Sequence, residues 1–209
     1  MQNHAQDAKG RGRPPKQRGD KLLTREMLVH VGTEVLTEKG YSAVDEILQR
    51  TGISRCSFYY YFKTKEGFGA ELIDRYRLSI TQKLERCLSD TSLSPLGSLR
   101  AFVGEVRDEM ARTDCRSGCL AGKLAQEVNT LPENFREQLS AVFAEWQDVF
   151  ARGLKRAQET GEISPELDCA STAAFFWYGW EGALQRANLE LNIKPVDIFI
   201  GNFFSRLTG

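Results

Sequence analysis

Thr51-Gly-Ile-Ser-Arg-Cys-Ser-Phe-Tyr-Tyr-Tyr-Phe-Lys-Thr-Lys-Glu66 is the stretch from which the architecture can be read. Thr51-Gly52 stops whatever precedes it, because glycine readily takes the left-handed backbone that ends a helix. Two residues later Ser54 offers a hydroxyl cap to a compact segment, Arg55 to Phe62. Upstream, Val44, Ile47 and Leu48 form a short apolar group. Before them Met27, Leu28, Val31, Val35 and Leu36 recur at helical spacing until Gly40 closes the segment. Two short helices joined by a tight glycine-containing turn make the helix-turn-helix pattern.

Downstream, Phe68, Leu72, Tyr76, Ile80, Leu84 and Leu88 fall four apart and predict a long helix from Lys65, ended by the polar stretch Ser89–Ser94. Pro95 behind Ser94 opens the next helix, through Leu99, Phe102, Val106 and Met110. Gly118 breaks the chain, and Cys119–Val128 reads as a short apolar helix. A long stripe follows Pro132, from Phe135 through Trp146 to Leu154. Asp168 leads into an aromatic-rich helix, Ala170–Leu189, and Pro195 starts the last, with Ile198, Phe199, Phe203 and Leu207. No strand pattern competes. The expectation is an all-α chain of about nine helices. It divides into a disordered basic arm (1–20), a three-helix helix-turn-helix head (21–65) and a helical-bundle domain for ligand binding and dimerisation (66–209).

The charge balance, 28 Lys+Arg against 28 Asp+Glu, hides an asymmetry. Residues 1–65 carry 12 basic and 7 acidic side chains, and residues 66–209 carry 16 and 21. One end is therefore fitted to meet a polyanion. Five cysteines without a CxxC pair argue against a disulfide framework and a structural zinc site, and two histidines leave little for histidine-based catalysis or a multi-histidine metal site. No metal or cofactor is expected, and the chain is not expected to be an enzyme. No apolar run approaches a membrane span and the polar N-terminus has no signal-peptide core, so a cytoplasmic location is expected.

The head carries the groups that DNA requires. Ser54 and Ser57 are hydroxyl donors near a helix N-terminus, Tyr60 and Tyr61 can reach phosphate oxygens, and Lys63 and Lys65 supply charge. Arg55 is the candidate for a base edge, because a guanidinium pairs bidentately with guanine. Phe58 and Phe62 read as core. Before the head, the Gly10–Lys16 stretch with Arg11, Arg13 and Lys16 resembles an AT-hook, a slim chain that lays arginines in a narrow minor groove.

Thr24, Gly40-Tyr41, Ile47-Leu48, Thr51-Gly52-Ile53-Ser54, Ser57–Phe62 and Lys65-Glu66 together resemble the N-terminal domain of the TetR family. The resemblance implies a third helix in the major groove and a long fourth helix linking head to regulatory domain. It also makes Thr24 a DNA contact, and implies a four-helix dimer interface built from the last two helices, which would present two heads to a palindromic operator. Cys56 stands where relatives carry Gly or another small residue, and the link from Gly40 to Ile47 is shorter than usual.

Further along, Gly118-Cys119-Leu120, Lys123-Leu124, Gln126-Glu127-Val128, Phe176-Trp177, Gly179–Ala183 and Arg186-Ala187 resemble the branch holding repressors of acrylate utilisation and electrophile detoxification. That implies a repressor released by a small acid, its thioester or an α,β-unsaturated carbonyl compound. Cys119 after Gly118, at a helix start where N–H groups would stabilise a thiolate, is the candidate sensor, with Cys115 near enough to resolve it. Trp146, Trp177 and Trp180 supply rigid walls, and Lys123, Glu127, Glu181 and Arg186 polar anchors. The same side chains at helical spacing would also serve as core. The alternatives to a ligand-responsive repressor are an architectural DNA-binding protein without a ligand and a small all-α enzyme.

Overall fold

The computed structural model describes residues 18–208, with side chains from Leu22 to Thr208. Among the described residues the chain is nine α-helices and one 3₁₀ turn. The head is α1 (Arg18–Lys39), the 3₁₀ turn Tyr41–Ala43, α2 (Val44–Thr51) and α3 (Arg55–Phe62). The long α4 (Lys65–Leu88) leaves it. The rest is α5 (Pro95–Arg112), α6 (Leu120–Gln126), α7 (Glu133–Glu159), α8 (Cys169–Glu190) and α9 (Lys194–Thr208).

The boundaries follow local chemistry. Gly52 ends α2 in the left-handed region (φ 64°). Ser54 Oγ accepts from Ser57 N–H at 3.2 Å, Thr64 Oγ1 from Gly67 N–H at 2.8 Å and Ser94 Oγ from Gly97 N–H at 3.1 Å, each capping the helix that follows. Asp168 caps α8 through two N–H groups. Two elements differ from the reading. Helix α1 starts at Arg18 rather than near Leu22, because apolar periodicity marks only the part of a helix that meets a core. Helix α6 stops at Gln126, where Glu127, Asn129 and Thr130 turn the chain back on itself. The arm expected over 1–20 lies, up to residue 17, outside the described residues.

The core is continuous from head to bundle. In the head, the Phe58, Phe62 and Phe68 rings meet with centroids 4.6–5.3 Å apart, which fastens α3 to the first turn of α4. Gly32 lies against the Phe68 and Leu72 side chains, where a methyl group would collide with the Phe68 ring. Ion pairs Arg25–Glu71 (2.5 Å) and Arg75–Glu26 (2.7 Å) tie α1 to α4 further along. In the bundle, Phe150 stacks on Phe176 at 4.1 Å, and Leu99, Phe102, Leu139, Trp146, Leu154, Trp180 and Phe204 are all buried.

Candidate functional site

At the reading end, the exposed edge of α2–α3 presents the residues that the sequence singles out. Arg55 stands out from α3 and pairs with Asp45 of α2 at 3.0 Å, both largely exposed, so the guanidinium is held but reachable. Ser54 and Ser57 hydroxyls lie 3.1 Å apart at the N-terminus of α3. Tyr60 is 66% exposed and Tyr61 half-buried against the core. Lys63 occupies the tight α3–α4 turn with a positive φ of 60° and is exposed; Lys65 Nζ lies over the Tyr41 ring at 4.6 Å. Phe58 and Phe62 are core, as expected, and Cys56 is exposed. Thr24 departs from the expectation: it is buried within the head, because it falls on the inward face of α1 with Leu28. Arg11, Arg13 and Lys16 lie outside the described residues.

The second constellation lies between the helices of the bundle. A cavity of about 340 Å³ is floored by Tyr76, Phe102, Cys119, Trp146, Trp177 and Trp180, with His30, Glu34, Glu38, Lys83 and Glu109 toward its outer side. A smaller chamber of about 90 Å³ joins Cys119, Gly122, Lys123 and Glu181, and a third space of about 510 Å³ runs between α6, α7 and α8 past Trp177 and Glu181. Tyr76, Cys119 and Glu181 lie together where α4, the start of α6 and α8 meet, close enough that the Glu181 charge helps raise both the Tyr76 and the Cys119 pKa. Burial pushes the Glu181 carboxyl up to about 7, a rise that the neighbouring Cys119 thiol reduces. Burial likewise raises the Tyr76 hydroxyl well above its ordinary range. Glu181 Oε1 and Trp177 Nε1 are enclosed with no hydrogen-bond partner, on successive turns of α8. Gly122 makes room for this arrangement, since a methyl group there would collide with the Glu181 carboxylate.

Three sequence expectations change in this geometry. Cys119 does cap α6, its Sγ accepting from Gly122 N–H at 3.3 Å, but it is not a stabilised thiolate. Burial, reinforced by the Glu181 charge, raises its pKa well above the ordinary thiol value and outweighs that N–H. Glu127 faces away from the cavity: its Oε2 accepts from Tyr41 N–H at 3.0 Å, and its carboxylate occupies the space beside Gly40 (φ 81°). It closes the junction between head and bundle. Arg186 is exposed and pairs with Glu190 one turn on. Trp146 keeps its expected place as a cavity wall and is also core, its Nε1 donating to the Arg77 carbonyl at 3.4 Å and its ring stacked on Trp177 at 5.1 Å. Tyr76 was missed, although it is the one polar member of the every-fourth stripe on α4.

Residues 28–72 match the bacterial regulatory proteins of the tetR family, and residues 95–203 match the tetracyclin repressor-like C-terminal domain. The chain belongs to the TetR family. The transcriptional regulator AcuR of Cereibacter sphaeroides is 43% identical over 92% of this chain and 89% of its own length. The transcriptional repressor DhaR of a Mycobacterium species is 30% identical over 88% and 91%. A crystal structure of a regulatory protein TetR from Rhodobacter sphaeroides superposes with a TM-score of 0.84 at 43% identity, covering 87% of this chain and 97% of that one. These relatives are regulators of transcription, not enzymes, and the TetR fold, with its N-terminal helix-turn-helix and C-terminal helical domain, is the one seen here. Helices α2 and α3, with the second part of α1, lie within the residues that match the tetR-family regulatory proteins. Among the described residues no helix is long and apolar enough to cross a membrane.

Proposed function

We propose that this TetR-family chain is a cytoplasmic, ligand-responsive repressor. In this reading a homodimer holds a palindromic operator through two α3 helices and lets go when a small acid, its thioester or a reactive electrophile enters the cavity around Cys119. The observation that carries the reading is the Tyr76–Cys119–Glu181 cluster, which joins the cavity to α4, the helix whose first turn is packed against α3. A polar group in the cavity that re-pairs Cys119 or Glu181 acts directly on Tyr76 and thus on α4. Only a ligand that favours one arrangement over the other can drive release.

In the DNA complex, Arg55 reads a base edge, Ser54, Ser57, Tyr60, Lys63 and Lys65 hold phosphates, and Arg11, Arg13 and Lys16 follow the minor groove. Dimerisation through α8 and α9 is supported by exposed Phe175, Tyr178 and Leu189 on α8 and Ile198 on α9. Gly182 and Gly201, each open where a Cβ would stand, permit close helix approach. Two-fold symmetry would then pair the heads.

Gel-shift titration of the DNA upstream of the gene itself tests this, with and without acrylate, an acryloyl thioester and methylglyoxal, on wild type and Cys119→Ser. The expected result is specific binding released by at least one compound, with release weakened in the variant. Release that persists unchanged in Cys119→Ser makes Cys119 a packing residue. Binding that is sequence-independent and indifferent to every compound returns the architectural alternative.

A further inference from the structure

Covalent sensing at Cys119, on which this inference rests, meets a chemical obstacle in the structure. A buried thiol facing a carboxylate holds its proton, so a free thiolate is scarce at neutral pH. Addition to an alkene must then remove the proton as the S–C bond forms, and the base has to be in contact already. Tyr76 cannot be that base, because burial keeps its hydroxyl protonated well above the ordinary phenol range. Glu181 shares a chamber with Cys119, the two side chains flanking Gly122, and its Oε1 is enclosed without any partner, so the carboxylate keeps acceptor capacity inside the site. Its position is fixed by Gly122, whose missing side chain is the space the carboxylate fills.

The surroundings also narrow the electrophile. The cavity floor beside Cys119 is aromatic, and toward the outer side Glu34, Glu38 and Glu109 outnumber the cations. Lys83 already pairs with Glu109 at 2.5 Å, and His30 lies 3.4 Å from Glu34. On that outer side a free carboxylate ligand meets acidic groups in excess, and Lys123, in the adjoining chamber, shares it with the Glu181 carboxylate. A carbonyl oxygen finds an unpartnered donor, Trp177 Nε1–H, on the turn of α8 before Glu181.

We propose that the Glu181 carboxylate takes the proton from Cys119 as its sulfur adds to the β-carbon of an uncharged α,β-unsaturated carbonyl compound, and returns that proton to the α-carbon. The sulfur lone pair forms the new bond, and the alkene pair moves toward the carbonyl oxygen as an enolate. The thiol proton passes to Glu181, and transfer from the carboxyl to the α-carbon completes addition of S–H across the double bond. Nothing else is consumed. Glu181 is a well-matched base, because a carboxyl held at about 7 is both available and basic at working pH. The charged or titratable groups facing it are Tyr76 from α4, Cys119 and Lys123 from the start and body of α6, and Tyr178 from α8 itself. Helix α7 adds only the neutral Ser140 and Gln147, α1 adds Thr37, and α8 itself adds Gln185 and Asn188.

The test is the rate of alkylation of each cysteine by methyl acrylate and by acrylate, followed by peptide mass spectrometry from about pH 5.5 to about 9. Exposed Cys56 in the same chain normalises for the reagent. In wild type the normalised Cys119 rate should rise through an inflection near pH 7, where Glu181 ionises, and then level. Glu181→Gln should slow Cys119 by at least about tenfold and remove the inflection, Glu181→Asp should restore one, and the ester should outpace the acrylate anion. A wild-type profile without that inflection overturns the proposal even if the Gln variant misfolds. So does a Gln variant that reacts at the wild-type rate, and faster reaction with the anion overturns the ligand class. If Cys56 is alkylated and Cys119 is not at any pH, covalent sensing itself falls, a distinct outcome from loss of the base.

Discussion

Arg55, Tyr60 and Lys63 stand out from the head into solvent, whereas Tyr76, Cys119 and Glu181 sit partly buried between α4, α6 and α8. The first set waits for a large, charged, invariant partner, and its groups keep their hydration until DNA supplies a replacement. The second set gave up much of its water on folding, so its protonation is part of the stability of the chain. Function at the head can therefore be altered without touching the fold. Function in the cavity cannot, and an effector that rearranges the cluster is spending folding energy to move a helix.

The contrast can be broken most directly at Trp146, whose ring is buried and stacked on Trp177. Trp146→Ala should destabilise by about 3–5 kcal/mol in denaturant unfolding; a loss no larger than that of a surface substitution would show the cavity floor to be soft. Arg55→Ala should weaken operator binding roughly tenfold to hundredfold with an unchanged melting temperature, read by fluorescence anisotropy against a scrambled site. Equal loss on both DNAs would reassign Arg55 to phosphate. The buried carboxyl gives a pH signature. With Glu181 at about 7 in the fold and 4.5 ordinarily, the folded chain holds more protons between those values. Stability should then fall by about 1 kcal/mol per unit as pH rises through that window, levelling above it, and Glu181→Gln should flatten the slope. At the smallest scale, Ser54→Ala should cost about 1 kcal/mol through the lost cap and weaken DNA binding as well. A drop in stability with affinity untouched would confine Ser54 to a structural role.

The same contrast explains what could be read from sequence. Ser54, Gly52, Ser94 and Pro95 act on their immediate neighbours, so the limits of α2, α3 and α5 are written locally. The exposed side of α3 is equally local: once the helix is placed, Arg55 and Tyr60 can only face outward. The cavity is another matter. Cys119 was singled out from its own helix start, but the value of its thiol depends on Glu181 and Tyr76, which arrive from distant helices. A helix N-terminus favours a thiolate and an apolar enclosure opposes it, and the sequence displays only the first. Glu127 was misplaced for the same reason. Its neighbours Lys123 and Gln126 line the chamber, while the turn after α6 swings Glu127 toward Tyr41.

Tyr76 is the twelfth of the 24 residues of α4, close to its middle. From there to Lys65 the helix runs about 16 Å at about 1.5 Å per residue. Helix α4 is thus a lever whose point of application is the buried hydroxyl and whose far end carries α3. A tilt of only about 6° over that length displaces the end by roughly 1.7 Å, more than the few tenths of an ångström over which a hydrogen bond keeps its strength. Because a two-fold dimer would hold two such levers, the separation of the reading helices would change by up to twice that amount, set by the rearrangement of a single cluster in each subunit.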